Sequence, residues 1–161
     1  MTRQDDRLAG PGAYALMIRL ESAFAGRVGA LGDLALTPRA YVYLGSANGP
    51  GGMDARVRRH LKREKRLHWH VDYLTREGTV TDIAFWPSGG ECALVDHVSA
   101  GKGITFPVPG FGSSDCRHCP AHLLAASGPK RILDRLKSLA GLRLYSAASF
   151  APSAATDPAI V

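Results

Sequence analysis

The spacing of apolar residues in the first third of the chain predicts strands. A compact apolar run at 12–20 places large side chains at every second position, which is typical of a strand, and a second such run follows at 40–45. Between them, 21–39 contains several glycines and a proline and predicts turns, with a short strand at 32–36. The first two main strands are therefore separated by a turn-rich segment.

The middle of the chain predicts a helix followed by two strands. Apolar residues recur every fourth position at 53–65, which favours an amphipathic helix. At 69–73, apolar and polar residues alternate, which predicts a half-buried strand. A further apolar run at 80–86 predicts another strand, ended by Pro87.

The last part of the chain predicts helices around a loop. A short helix is expected at 88–98, and 99–117 is rich in glycine, proline and serine, which indicates a loop. Helical segments are predicted at 121–126 and 129–139, and the Ala/Ser/Pro-rich stretch from 146 indicates a flexible tail.

These elements predict one α/β (α+β) domain at 11–145, with flexible termini at 1–10 and 146–161. The chain has 161 residues, 45% of them hydrophobic, which is enough for a core and too apolar for a disordered chain. No apolar run reaches the length of a membrane span or a signal peptide, so a cytoplasmic protein is expected. Three cysteines cannot all pair with one another, which argues against a disulfide framework.

A basic cluster suggests a polyanionic partner. The net charge is +6, and seven of the eleven residues at 56–66 are Lys or Arg. On a helix, like charges three or four positions apart repel by a few tenths of a kcal/mol, so binding of phosphates is favoured over a merely solvated face. The candidate nucleic-acid-binding residues beside Arg56 are Arg58, Arg59, Lys62, Arg63, Lys65 and Arg66.

A group of cysteines and a histidine has the spacing of a metal site. Cys116 and Cys119 form a Cys-x-x-Cys motif, His122 follows three residues later, and Cys92 or His118 could supply a fourth ligand. Structural Zn²⁺ is one interpretation, and a redox pair or ordinary reduced thiols are the alternatives.

Two other polar groups have both structural and chemical interpretations. Ser88 and Glu91 have the spacing of a capping box at a helix start, but the Glu91 carboxylate could equally bind Mg²⁺. His68, His70 and Asp72 would project from one face of the predicted strand, either towards solvent or towards a site.

The order of several short motifs resembles the GIY-YIG nuclease superfamily. The triplets GAY at 12–14 and YLG at 43–45 precede Arg56 on one helix and Glu91 on a later one. Within that superfamily the chain is most similar to the Uri-type branch, over roughly 11–126. The stretches that carry this likeness are YVYLGSANGPGG, RVRRHLKREKRLHWHVDYL, the EC pair at 91–92 and GFGSSDCRHCPAHL.

This resemblance implies a small, mostly antiparallel sheet flanked by helices, and metal-dependent hydrolysis of phosphodiester bonds. Glu91 would hold Mg²⁺ or Mn²⁺, and Arg56 would stabilise charge on the phosphate. Tyr43, with Tyr14, would position or deprotonate the attacking water, and His60 would share the proton transfer or contact phosphate. DNA is the implied partner, with RNA as an alternative. The main rival is a nucleic-acid-binding module without catalysis.

Overall fold

The computed structural model describes residues 6–49, 51–113 and 116–150. It contains seven strands, which are β1 (Gly12–Arg19), β2 (Phe24–Arg27), β3 (Asp33–Leu36), β4 (Ala40–Ser46), β5 (Thr79–Pro87), β6 (Leu123–Ala126) and β7 (Arg143–Ser146). Its four α-helices are α1 (Gly52–Leu61), α2 (His70–Glu77), α3 (Glu91–Ser99) and α4 (Pro129–Lys137).

Five strands form one antiparallel sheet in the order β6-β4-β1-β5-β7, and β2 and β3 form a separate hairpin. Because β1 lies in the centre, both of its faces are buried, which explains its continuous apolar run. The predicted α/β class with a mostly antiparallel sheet is confirmed. The short strand predicted at 32–36 is present as β3, but its partner β2 was not predicted.

Helices cover both faces of this sheet. On one face, Tyr14 and Leu16 of β1 pack in a core that includes Met53 of α1 and Leu74 of α2. On the other face, the alternate residues of β1 pack in a core built with α3 and α4. The residues of β1 therefore alternate between the two cores, and the tyrosines lie on the α1 and α2 side.

The predicted strand at 69–73 is wrong, because α2 begins at His70. The Asp72 carboxylate accepts hydrogen bonds from the backbone N–H groups of His68 and Trp69, both at 2.8 Å, and so caps the first turn. The buried residues Val71, Leu74 and Thr75 follow helical spacing.

The predicted helix at 121–126 is also wrong. Its last four residues form β6, which pairs with β4 at the edge of the sheet, and all four are buried. A short run that is apolar at every position fits a strand buried on both faces as well as it fits a helix, so tertiary pairing decides the outcome.

Two predicted helix boundaries shift. Helix α1 ends at Leu61 rather than 65, where the backbone of Lys62 becomes extended and the Lys65 ammonium donates to the His60 carbonyl oxygen at 2.9 Å. Helix α3 begins at Glu91, and its N-cap is Gly90 without a side-chain hydrogen bond. The capping box predicted from Ser88 is therefore wrong.

The described residues extend beyond 11–145 at both ends, to Asp6 and Phe150. Leu8 is fully buried, and Phe150, which follows β7 in a 3-10 turn, is buried as well. The rest of the predicted flexible termini, 1–5 and 151–161, lies outside the described residues. No helix in the described ranges is both long and apolar enough to cross a bilayer.

Candidate active site and metal-ligand cluster

The two motif tyrosines lie side by side on the face of the sheet that α1 and α2 cover. Tyr14 is on β1 and Tyr43 on β4, and their ring centroids are 6.3 Å apart. Tyr14 pairs across the strands with Gly45, where an added Cβ would lie only 2.5 Å from the Tyr14 hydroxyl oxygen. The YLG triplet therefore needs glycine, because the phenol of the GAY triplet occupies that space.

His60 reaches the same place from α1. It is buried, and its Nε2 lies 2.8 Å from the Tyr14 hydroxyl oxygen. Burial, reinforced by the nearby charge of Lys65, lowers the pKa of His60 to about 3. The imidazole is therefore neutral at physiological pH. Its Nδ1 has no hydrogen-bond partner among the described residues.

Opposing charges act on the two phenols. Burial raises the pKa of both tyrosines, and the Glu91 carboxylate raises it further. Arg56 acts in the other direction on both of them. The guanidinium of Arg56 also lies 4.6 Å from the ring centroid of Trp69, in a cation–π contact that fixes its position. Arg56 is thus the cation that favours negative charge at this site.

Glu91 and Tyr43 line one cavity of about 340 Å³. Although α3 packs on the opposite face of the sheet, Glu91 is its first residue, and its side chain, 25% exposed, faces the cavity. Trp69, His70, Cys116 and His122 also line this cavity. Sequence reasoning missed Trp69 and Gly112 as lining residues. Both residues lie within stretches that carry the resemblance, but neither was singled out there.

The basic cluster is divided between internal contacts and solvent. Arg59 binds the buried Asp72 carboxylate through two hydrogen bonds of 2.7 and 2.8 Å, and Arg58 pairs with Asp54 at 3.0 Å. Lys65 donates to Thr75 at 2.6 Å. The remaining predicted nucleic-acid-binding residues, which are exposed, are Lys62, Arg63 and Arg66.

The alternating polar residues before and within α2 do not share a face. Asp72 is fully buried and holds Arg59, whereas His68 is exposed. His70 accepts a hydrogen bond at its Nδ1 from the backbone N–H of Gly112, at 2.8 Å. A neutral His70 therefore carries its proton on Nε2.

The predicted cysteine and histidine ligands converge. The ligand atoms of Cys92, Cys116, Cys119 and His122 all lie within 4.8 Å of one another, so this group could hold a metal ion. Within the described ranges it is the one such group of at least three ligands. A backbone hydrogen bond from Cys119 is the main cause that lowers the pKa of Cys116 to about 6. His118 lies outside the group and pairs with Asp96 at 3.0 Å.

A pH-dependent stability is expected from the buried His60. Its folded-state pKa is about 3, below the unfolded value of about 6.5, so the unfolded chain binds the additional proton as the pH falls between these values. The contribution of neutral His60 to the free energy of unfolding is therefore fully present above pH 6.5. It falls below that pH, by about 2 kcal/mol between pH 7.5 and pH 5. Urea unfolding of wild type and His60→Gln at both pH values isolates this contribution, and equal pH dependence in both proteins would contradict it.

The fold and site define a small α/β domain with a cavity lined by Tyr43 and Glu91 and an adjoining group of four side chains that could hold a metal ion. The chain belongs to the family described as "Domain of unknown function DUF123", whose model matches residues 13–142. No curated protein and no solved structure matches the chain.

Proposed function

We propose that this protein is a divalent-metal-dependent endonuclease of the GIY-YIG type that hydrolyses phosphodiester bonds in DNA. The observation that carries the proposal is the convergence of Tyr43 and Glu91 on one cavity. Beside Tyr43, the Tyr14 hydroxyl contacts His60, and the charge of Arg56 acts on both phenols. These residues are far apart in sequence, and the resemblance to that superfamily requires them to meet. A chance likeness of two short triplets would not require it.

Glu91 suits Mg²⁺ or Mn²⁺. Its carboxylate faces an open cavity that leaves room for water ligands, and a hard cation commonly uses only one or two protein carboxylates. A bound cation would offset charge on the phosphoryl oxygens and on the leaving group.

The ligands of the adjoining group are three thiols and an imidazole, a set that favours Zn²⁺ over Mg²⁺, and we propose zinc there.

The surrounding side chains have separate tasks in this proposal. Tyr43 lines the cavity and orients the attacking water through its hydroxyl. Tyr14 is almost completely buried and does not line the cavity, so its role is indirect, through its hydrogen bond with neutral His60. Arg56 stabilises the charge that grows on the phosphate in the transition state.

The exposed cations indicate how the nucleic acid would bind. Lys62, Arg63 and Arg66 lie in the loop after α1, close in sequence to the half-buried Arg56. Each phosphate that they neutralise adds affinity that falls with salt. Contacts to phosphates carry no direct sequence information, so low sequence specificity is expected, and RNA stays a second possible substrate.

Removal of the Arg56 guanidinium tests the proposal. Arg56→Ala is expected to lower Mg²⁺- or Mn²⁺-dependent cleavage by about 100-fold or more, because a transition-state charge loses its partner. The measurement is the cleavage rate of plasmid and labelled DNA and RNA, with and without chelator. Arg27→Ala, at an exposed position on β2, is the control and should cleave as wild type does.

The rival function predicts a different result in the same experiment. A non-catalytic binding module would bind nucleic acid tightly and in a salt-sensitive way, but would cut none of these substrates with either metal. Wild-type cleavage that survives Arg56→Ala would contradict the site assignment.

A further inference from the structure

We propose that His122 binds zinc through Nδ1 and donates its Nε2–H to Glu91, so that zinc in the cysteine group positions the carboxylate of the active site. This inference rests on the proposed function, because it assigns a task to Glu91. The zinc site and the proposed Mg²⁺ or Mn²⁺ site at Glu91 would then be linked by one hydrogen bond. His122 is then a positioning residue for Glu91.

The first support is the arrangement of the four ligands. Cys92 lies in the first turn of α3. Cys116 and Cys119 lie in the loop that precedes β6, and His122 comes directly before that strand. The Sγ atoms of Cys92 and Cys116 are 3.5 Å apart, close to the edge of about 3.8 Å of a tetrahedron with zinc–sulfur bonds of about 2.3 Å. Four protein ligands make a closed site without a position for substrate.

The second support is an unpaired nitrogen. His122 is only 3% exposed, and its Nε2 has no hydrogen-bond partner among the described residues. That nitrogen lies 3.6 Å from the Glu91 carboxylate oxygen Oε1. A buried polar atom without a partner is costly, and a small shift would bring these two atoms into hydrogen-bond range.

Zinc coordination would fix the imidazole tautomer that this contact needs. A histidine that binds a metal through one ring nitrogen almost always donates from the other, commonly to a carboxylate. Coordination through Nδ1 would place the N–H at Nε2, directed at Glu91.

The same coordination would link two segments that line the cavity. Cys92 is the neighbour of Glu91, so zinc would hold the start of α3 against the loop that leads into β6. That loop begins beside Gly112, where an added Cβ would lie 2.7 Å from the Tyr43 ring. Zinc would therefore limit the movement of Glu91 relative to Tyr43.

His122→Cys is the decisive variant, because it replaces the imidazole with a fourth thiolate. Zinc should stay near one equivalent, and the Co²⁺-substituted protein should show stronger sulfur-to-cobalt absorption than wild type. Mn²⁺ binding at Glu91, followed by electron paramagnetic resonance on zinc-loaded protein, should weaken about tenfold or more. His118→Gln, at an exposed histidine of the same loop, is the control and should leave zinc and Mn²⁺ binding unchanged.

A second measurement uses the unaltered protein and does not depend on folding of a variant. Nitrogen-15 NMR of zinc-loaded wild type should show His122 protonated at Nε2 and metal-bound at Nδ1. Absence of stoichiometric zinc, coordination through Nε2, or unchanged Mn²⁺ affinity in His122→Cys would each overturn the inference. If all expected results hold but no nucleic acid is cut, the proposed nuclease function fails and the zinc-to-Glu91 connection stands.

Discussion

Glu91→Gln is expected to reduce metal-dependent cleavage by on the order of 1,000-fold while the protein stays folded. An amide has nearly the shape of the carboxylate but no charge, so it would hold a divalent cation poorly in the cavity that Glu91 lines. A loss of this size corresponds to about 4 kcal/mol of transition-state stabilisation. The measurement is single-turnover cleavage at saturating Mg²⁺ or Mn²⁺.

Two controls make this result specific. Glu77→Gln removes a carboxylate at the end of α2 whose side chain is 51% exposed, and it should cleave as wild type does. Zinc content of Glu91→Gln should be measured as well, because Cys92 is adjacent in sequence. Cleavage within about twofold of wild type in Glu91→Gln would exclude Glu91 as the catalytic metal ligand.

Asp72→Ala is expected to destabilise the fold by about 3 kcal/mol. Its buried carboxylate accepts hydrogen bonds from Arg59 and from the backbone of His68 and Trp69. Burial alone raises the pKa of Asp72, but these donors lower it below its ordinary value overall. The carboxylate therefore stabilises the fold above pH 4, and this contribution is lost as the pH falls through the lowered pKa.

The measurement is the free energy of unfolding in urea at neutral pH. Asp96→Ala is the matched control, because Asp96 lies on α3 with a side chain that is 64% exposed, and it should change stability by no more than about 0.5 kcal/mol. A similar small change in Asp72→Ala would show that the Arg59 pair and the cap contribute little. Loss of the cap should also disturb Trp69, which lines the active-site cavity.

The spacing of apolar residues predicted the strands and helices whose buried positions recur regularly along the chain. The central strand β1, its partner β4 and the amphipathic α1 were predicted because each has a long regular run. At 68–73 the six residues alternate, but this window is too short to distinguish a strand from the first turn of a helix. The Asp72 cap, which starts α2, depends on backbone geometry that alternation does not indicate.

The site residues were predicted by motif order, whereas their interactions depend on tertiary packing. Nothing in the spacing shows that Arg59 is paired with a buried aspartate while Arg63 is exposed. Likewise, Glu91 belongs to a helix on the opposite face of the sheet, and only its position at the very start of α3 brings it to Tyr43. Such end effects come from the three-dimensional path of the chain.

The pairing of Tyr14 with Gly45 has a consequence for how relatives of this protein can be compared. The phenol fills the volume where any other amino acid at 45 would place its Cβ. A homologue with alanine or a larger residue there must move that phenol away from the imidazole at 60, or replace it altogether. The identity of one small residue on β4 therefore tells a genome annotator whether a family member can still form the buried tyrosine–histidine pair.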